Sequence, residues 1–323
     1  MSCVKFGPGG AGPEFRESKY RYNKEIPLWI SELGLEAFEY QFNKGIKLSK
    51  TEAREIGIVA EDYGIHLTVH APYYINLATS NESLLKNSIK LMVHTAEMAD
   101  LLGATKLVFH PGWYGKVSSK KATNLVSEAI NTVLHELDKI GLSHIKLAPE
   151  TTGKITQFGN IEEILELCKR FPERVVPTID FGHVHARLFT ENTGNYTTPA
   201  LSDFGNFNIE NNRKVKISDG LWKEKDYREV IFDKIKSTEK SIGINLLSDL
   251  HMHFSIVEAN RNGEVRHHTL EVEERYGPSF NALIRVLKNN HICGTIICES
   301  KDKMASDAKI LKRRYISLKE EYL

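Results

Sequence analysis

Short apolar runs alternate with amphipathic stretches along the whole of this 323-residue chain, and eight such pairs can be counted. Strand-helix alternation of this kind points to parallel strands covered by the helices that join them. The expected strands are 4–6, 34–42, 65–69, 104–109, 145–148, 175–179, 251–255 (led in by 245–250) and 294–298. The expected helices include 26–33, 82–102, 121–140, 161–170 behind an Asn160 cap, 226–240 and 280–289. Ser49 is expected to cap a helix reaching about Tyr63, with Glu52 completing a capping box. A basic amphipathic helix is expected over 304–322, and 260–266 reads as a charged turn. Eight units predict a TIM barrel, a single α/β domain over 1–323. The rhythm breaks at 190–220, which is polar and too long for an ordinary connection, so it reads as a lid or a surface insertion.

In a TIM barrel the C-terminal ends of the strands carry the chemistry. The stretch VVPTIDFGHVHA begins as a β-rich run and ends in Asp180, His183 and His185. Other strand ends repeat the design: His70, His110, Glu150, His253 and Glu299 all fall at or near one. Each offers a carboxylate or an imidazole to one mouth. Acids gathered in a dry cavity need compensation, and imidazole with carboxylate but no thiolate suits zinc, manganese or iron. Carboxylates can bridge two ions, and two adjacent ions can clamp both oxygens of a phosphodiester displacement. His251 and His253 are read as pointing the same way, so one is a ligand and the other supports it. His183 and His185 pose the same choice. His66, His94, His135, His144 and His291 are assigned no function.

Hydrophobic residues make up 41% and charged residues 26%, ordinary for a water-soluble globular chain. The net charge of +1 supplies no global attraction to nucleic acid, so any such contact needs a local basic face. Cys3, Cys168, Cys293 and Cys298 form no CxxC pair, which is expected of reduced, buried thiols rather than a disulfide scaffold. No signal-like start or membrane-length apolar run is seen, so a cytoplasmic protein is expected, and no apolar surface helix stands out, so a monomer is expected.

HAPYYIN, FHPG, the Pro149-Glu150-Thr151-Thr152-Gly153 run, IDFGHVHA, HFS and CES, in this order, resemble the endonuclease IV family of apurinic/apyrimidinic endonucleases. The resemblance is to the archaeal-type, divergent branch and runs from about Val4 to Glu299. It implies a trinuclear zinc site. His70 and His110 would hold one ion, with Glu150 bridging to a second. Asp180, His253 and Glu299 would complete that second ion, and His183 and His267 would hold the third. The implied activity is hydrolysis of duplex DNA 5′ to an abasic site by zinc-activated water, leaving a 3′-hydroxyl. Glu150 and Glu299 are its expected catalytic carboxylates.

The chain departs from that pattern in two places. The family usually has Asp-x-His for the third zinc, whereas here Glu264 stands three residues before His267, with His268 an alternative. The family also inserts an arginine after its second strand and a Tyr-Leu pair after its third. Here Lys44 and Lys47 occupy the first loop, and Tyr73 and Tyr74 the second. Tyr73, Tyr74, Lys44 and Lys47 are the expected DNA contacts, and Lys116 and Lys154 also lie on mouth-side loops. Two other readings remain open. One is a single-metal sugar isomerase or epimerase of the xylose isomerase-like barrels, using Glu150, Asp180, His253 and Glu299. The other is a non-catalytic nucleic-acid-binding barrel.

Overall fold

The computed structural model describes residues 3–193, 222–260, 262–273 and 275–318. Most of the expected insertion at 190–220, and the end of the tail, lie outside the described residues. Eight parallel strands form the centre: β1 (Val4–Pro8), β2 (Ala37–Gln41), β3 (His66–His70), β4 (Lys106–Phe109), β5 (Lys146–Pro149), β6 (Thr178–Asp180), β7 (Leu250–Phe254) and β8 (Gly294–Cys298). Hydrogen bonds run continuously through β2-β3-β4-β5 and through β1-β8-β7-β6. Two seams close the ring. Gly9 bridges Glu39 between β1 and β2, and Leu147 and Glu150 bridge Val175 and Thr178 between β5 and β6. The fold is the TIM barrel read from the alternation.

Strands buried on both faces explain the unbroken apolar runs, because the helices cover the outside while side chains fill the inside. β4, β7 and β8 are buried at every position. Among the covering helices, Ile161–Arg170 turns Ile161, Ile164, Leu165 and Cys168 inward at helical spacing. Its Asn160 side chain accepts the Glu163 N–H at 2.8 Å, and Glu163 accepts the Asn160 N–H at 3.1 Å. Ser49 and Glu52 form the same box at the head of Lys50–Asp62. The tail helix Met304–Ser317 is fastened by its basic residues, with Lys312 on Glu36 and Arg314 on Glu273.

The structure corrects three expectations. Residues after Asp180 form helix Phe181–Thr193 at once, so His183 and His185 do not share a face as His251 and His253 do on their strand. The cause is local: Asp180 Oδ1 accepts the His183 N–H at 2.6 Å, which is an N-cap contact. The charged turn at 260–266 belongs to a hairpin of Ile256–Asn260 and Gly263–His268. Cys3 and Cys293 are not free thiols but a disulfide, their Cα atoms 5.0 Å apart. The β1–β8 register, Val4 opposite Gly294, sets the preceding cysteines side by side across a separation of 290 residues. Cys168 and Cys298 are free and buried, as expected.

Ile296 is fully buried in β8. Ile296→Ala is expected to cost about 2–5 kcal/mol and Asn160→Ala about 1 kcal/mol. Denaturant midpoints at unchanged slope would measure both.

Candidate metal centre

The barrel brings the strand-end residues together at one mouth. His70 closes β3, His110 follows β4 and Glu150 follows β5. Glu150 Oε2 lies 2.9 Å from His70 Nε2 and 3.1 Å from His110 Nε2. Its other oxygen, Oε1, is 3.1 Å from His183 Nδ1 and 3.4 Å from His253 Nδ1. Glu150, Asp180, His253 and Glu299 form a second group, and His183, Glu264 and His267 a third, with ligand-type atoms within 4.8 Å of one another in each. Glu150 belongs to the first two groups, and His183 touches both Glu150 and Glu264.

A cation fits this donor set on electrostatic grounds. Glu150 Oε1, Asp180 Oδ2 and His253 Nδ1 are buried and have no hydrogen-bond partner among the described residues. An unpaired buried polar atom costs about 1–3 kcal/mol, more when charged, and here three of them converge on the second group. The imidazoles are also oriented. His70 Nδ1–H donates to the Ala71 carbonyl at 2.7 Å, His183 Nδ1–H to Thr151 at 2.9 Å, and His267 Nδ1–H to Glu299 at 2.9 Å. A carbonyl only accepts, so the proton sits on Nδ1 and Nε2 is left facing the carboxylates.

Without a cation, protons on the imidazoles balance the acids. Burial pushes His70 down, but the hydrogen bond to Glu150 and its charge outweigh this and raise it to about 9. Burial pushes Glu150 up, and the charges of His110 and His253 win, holding it well below the usual carboxylate range. His267 is likewise lowered by burial and raised, to about 9, by Glu264. A metal ion would replace those protons.

The third group depends on a β-bulge. In a regular strand Glu264 and His267, three residues apart, would face opposite sides. In the hairpin Glu258 pairs with Arg266 and Ala259 with Glu264, leaving Val265 as an extra residue. That extra residue turns both side chains the same way, so His183 and His267 reach the two oxygens of Glu264 at 3.1 and 3.2 Å. The neighbouring histidines also take different positions. His268 turns away to Glu258 at 3.0 Å and stacks on Tyr276. His185, on a helix rather than a strand, faces Trp222 instead of the mouth, and burial lowers it to about 4.

The loops carrying the expected DNA contacts lie on the same end of the barrel. Lys44 and Lys47 are exposed after β2, and Tyr73 and Tyr74 are 52% and 47% exposed after β3. The two loops are joined by the Tyr73 N–H on the Asn43 carbonyl at 3.3 Å. Sequence reasoning missed Glu39, buried inside β2 against His251 and His253. Its signal was a carboxylate in an otherwise strand-like run, AFEYQF.

The sequence profile for the xylose isomerase-like TIM barrel matches residues 27–314. The chain belongs to the xylose isomerase-like TIM-barrel family. It is similar to an uncharacterized protein of Methanocaldococcus jannaschii, with 32% identity over 289 residues, 90% of each chain. It is also similar to a probable endonuclease 4 of Thermoplasma volcanium, with 31% identity over 142 residues, 43% of this chain and 48% of that protein. Among solved structures, endonuclease IV from Thermus thermophilus matches with TM-score 0.60 and 18% identity, over 91% of this chain and 94% of that one. A D-tagatose 3-epimerase-like protein matches with the same score and identity, over 90% and 91%. At such identities the two structures speak for the fold alone. No helix among the described residues is long and apolar enough to cross a membrane.

If the bulge is what aligns the third group, deleting Val265 restores regular alternation and keeps Glu264 and His267 on one face. Bound metal per chain should then be unchanged on elemental analysis. Gly153→Ala should do the opposite, because its Cβ would stand 2.9 Å from Glu264 Cβ and 3.2 Å from His183 Cδ2. Loss of about tenfold in metal affinity is expected there, with the circular dichroism spectrum unchanged.

Proposed function

We propose that this protein is a metal-dependent DNA repair endonuclease that hydrolyses the phosphodiester 5′ to an abasic site and leaves a 3′-hydroxyl. One observation carries the reading. The four-residue group of Glu150, Asp180, His253 and Glu299, enough for a single-metal isomerase, is flanked by two further imidazole-carboxylate groups that such an enzyme does not need. His70 and His110 with Glu150 would hold one ion. Glu150, Asp180, His253 and Glu299 would hold a second, and His183, Glu264 and His267 a third. Zinc suits these nitrogen and oxygen donors, as do manganese and iron.

Such ions, when bound, lower the pKa of water and stabilise charge on the oxygens of a phosphodiester. The chain's own residues do the rest. Glu150 spans two groups and fixes their separation. Glu299 faces the mouth beside His253, at 3.7 Å from its Nδ1. Tyr73 and Tyr74 supply aromatic faces for the bases beside an extruded abasic nucleotide. Lys44 and Lys47 meet phosphates and set register without reading sequence.

A second reading has its own support. The four-residue group is what an epimerase would use, and the epimerase-like structure is as close in fold as the endonuclease. Elemental analysis of the purified protein, with nicking of a duplex carrying one synthetic abasic site, separates them. The expected outcome is about three zinc ions per chain, as closed nitrogen-oxygen groups would hold them, with cleavage 5′ to the lesion. One ion, no nicking and turnover of a ketohexose would overturn the nuclease in favour of the epimerase.

Tyr73→Ala and Tyr74→Ala should each weaken abasic-duplex binding by about 1–3 kcal/mol, the usual value of a base-aromatic stack, with metal content unchanged. Lys44→Ala should reduce the salt slope of binding by about one, measured by fluorescence anisotropy.

A further inference from the structure

One histidine at the mouth is mounted differently from its neighbours. His70, His183 and His267 use Nδ1–H on backbone carbonyls and present Nε2. His253 presents Nδ1 to Glu150 and Glu299, at 3.4 and 3.7 Å. Its Nε2 therefore needs an acceptor deeper in the barrel. That acceptor is Glu39 of β2, fully buried and 3.2 Å away.

Glu39 is held in turn. His251 Nε2–H donates to its Oε2 at 2.8 Å, and the Thr68 hydroxyl donates to the same oxygen at 3.1 Å. Two residues further along β2, on the same face, Gln41 donates from Nε2 to Glu299 Oε1 at 2.6 Å. Gly9 of the β1 end leaves the room for this contact, since a Cβ there would stand 2.8 Å from Gln41 Nε2 and 3.2 Å from Glu299 Cγ. β2 thus contributes none of the residues in the three mouth groups, yet it touches two members of the second.

We infer that β2 is the positioning strand of the second group: Glu39 fixes the ring of His253 so that Nδ1 is the donor toward the ion, and Gln41 fixes the carboxylate of Glu299. The inference rests on the metal-centre reading, but not on the number of ions, because the nuclease and epimerase readings both use the second group. A buried carboxylate behind a ligating histidine orients the ring and strengthens the ring's basicity, and losing such a partner typically costs about 10–100-fold in metal affinity. Glu39 reaches His253 across the interior, because β1 and β8 stand between β2 and β7 in the ring.

The test is chelator competition on the zinc-loaded full chain, comparing wild type with E39Q and Q41A. The ion count of the wild type tests the proposed function, and the difference between wild type and variant tests this inference. The expected result is that one ion per chain is released at about 10–100-fold lower chelator, the same ion in both variants, while any others leave as in wild type. Q41A sits nearer the mouth and keeps the test available if E39Q fails to fold. Three outcomes would overturn the inference. In the first, the variants hold every ion as tightly as wild type. In the second, all ions loosen together with a lowered melting temperature, the mark of a purely structural role. In the third, wild type carries an ion beyond the three mouth groups that E39Q removes, since Glu39, His251 and His253 are close enough to ligate one themselves.

Discussion

Everything at the mouth turns on burying the carboxylate of Glu150. It is almost inaccessible, it faces four imidazoles, and one of its oxygens lacks a proper hydrogen bond among the described residues. A lone ionised carboxylate in such a place would cost several kcal/mol. The fold offsets that cost by gathering positive charge from independent strand ends. Because each imidazole comes from a separate element, the arrangement exists only when the ring is closed. The site and the barrel are therefore coupled: the seam at Glu150–Thr178 that shuts the ring also places the carboxylate shared by two of the groups.

The third group is built differently. Its acid and one of its histidines come from the hairpin after β7, and only His183 comes from the barrel wall. The hairpin is pressed onto the barrel where side chains would block it. A Cβ on Gly182 would stand 2.5 Å from Val257, and one on Gly263 would stand 2.5 Å from the Gly153 carbonyl. Gly263 also has φ +104, a conformation that other residues rarely adopt. Close backbone approach here holds the hairpin against the barrel, and it places Glu264 and His267 above the mouth on a strand outside the ring of eight.

Local signals made the barrel and most of the mouth legible. Strand-helix alternation needs only neighbours in sequence, and an acid or imidazole at a strand's C-terminal end is part of the same pattern, so the convergence of His70, His110, Glu150, Asp180, His253 and Glu299 on one mouth could be read from the chain. What stayed hidden was set by register or by geometry between segments. The Cys3–Cys293 pairing follows from the β1–β8 register. The alignment of Glu264 with His267 follows from a bulge, which the alternation rule reads as opposite faces. The separation of His183 from His185 follows from a helix that begins one residue after the strand. Glu39 was passed over because a charge within a strand run reads as an exposed face, whereas here it points into the interior toward two histidines.

The two functional readings differ in what surrounds a shared group. Glu150, Asp180, His253 and Glu299 come from β5 to β8, the half of the barrel that a one-metal chemistry would use alone. His70 and His110 extend the donor set across β3 and β4, and His183 with the hairpin extends it upward. Those extensions are costly without a purpose, because each adds buried charge that must be balanced. They stand beside exposed tyrosines and lysines on the β2 and β3 loops, Tyr73, Tyr74, Lys44 and Lys47. The two readings thus part on the donor set: His70, His110, His183, Glu264 and His267 add imidazole and carboxylate groups beyond the four that a single ion would need.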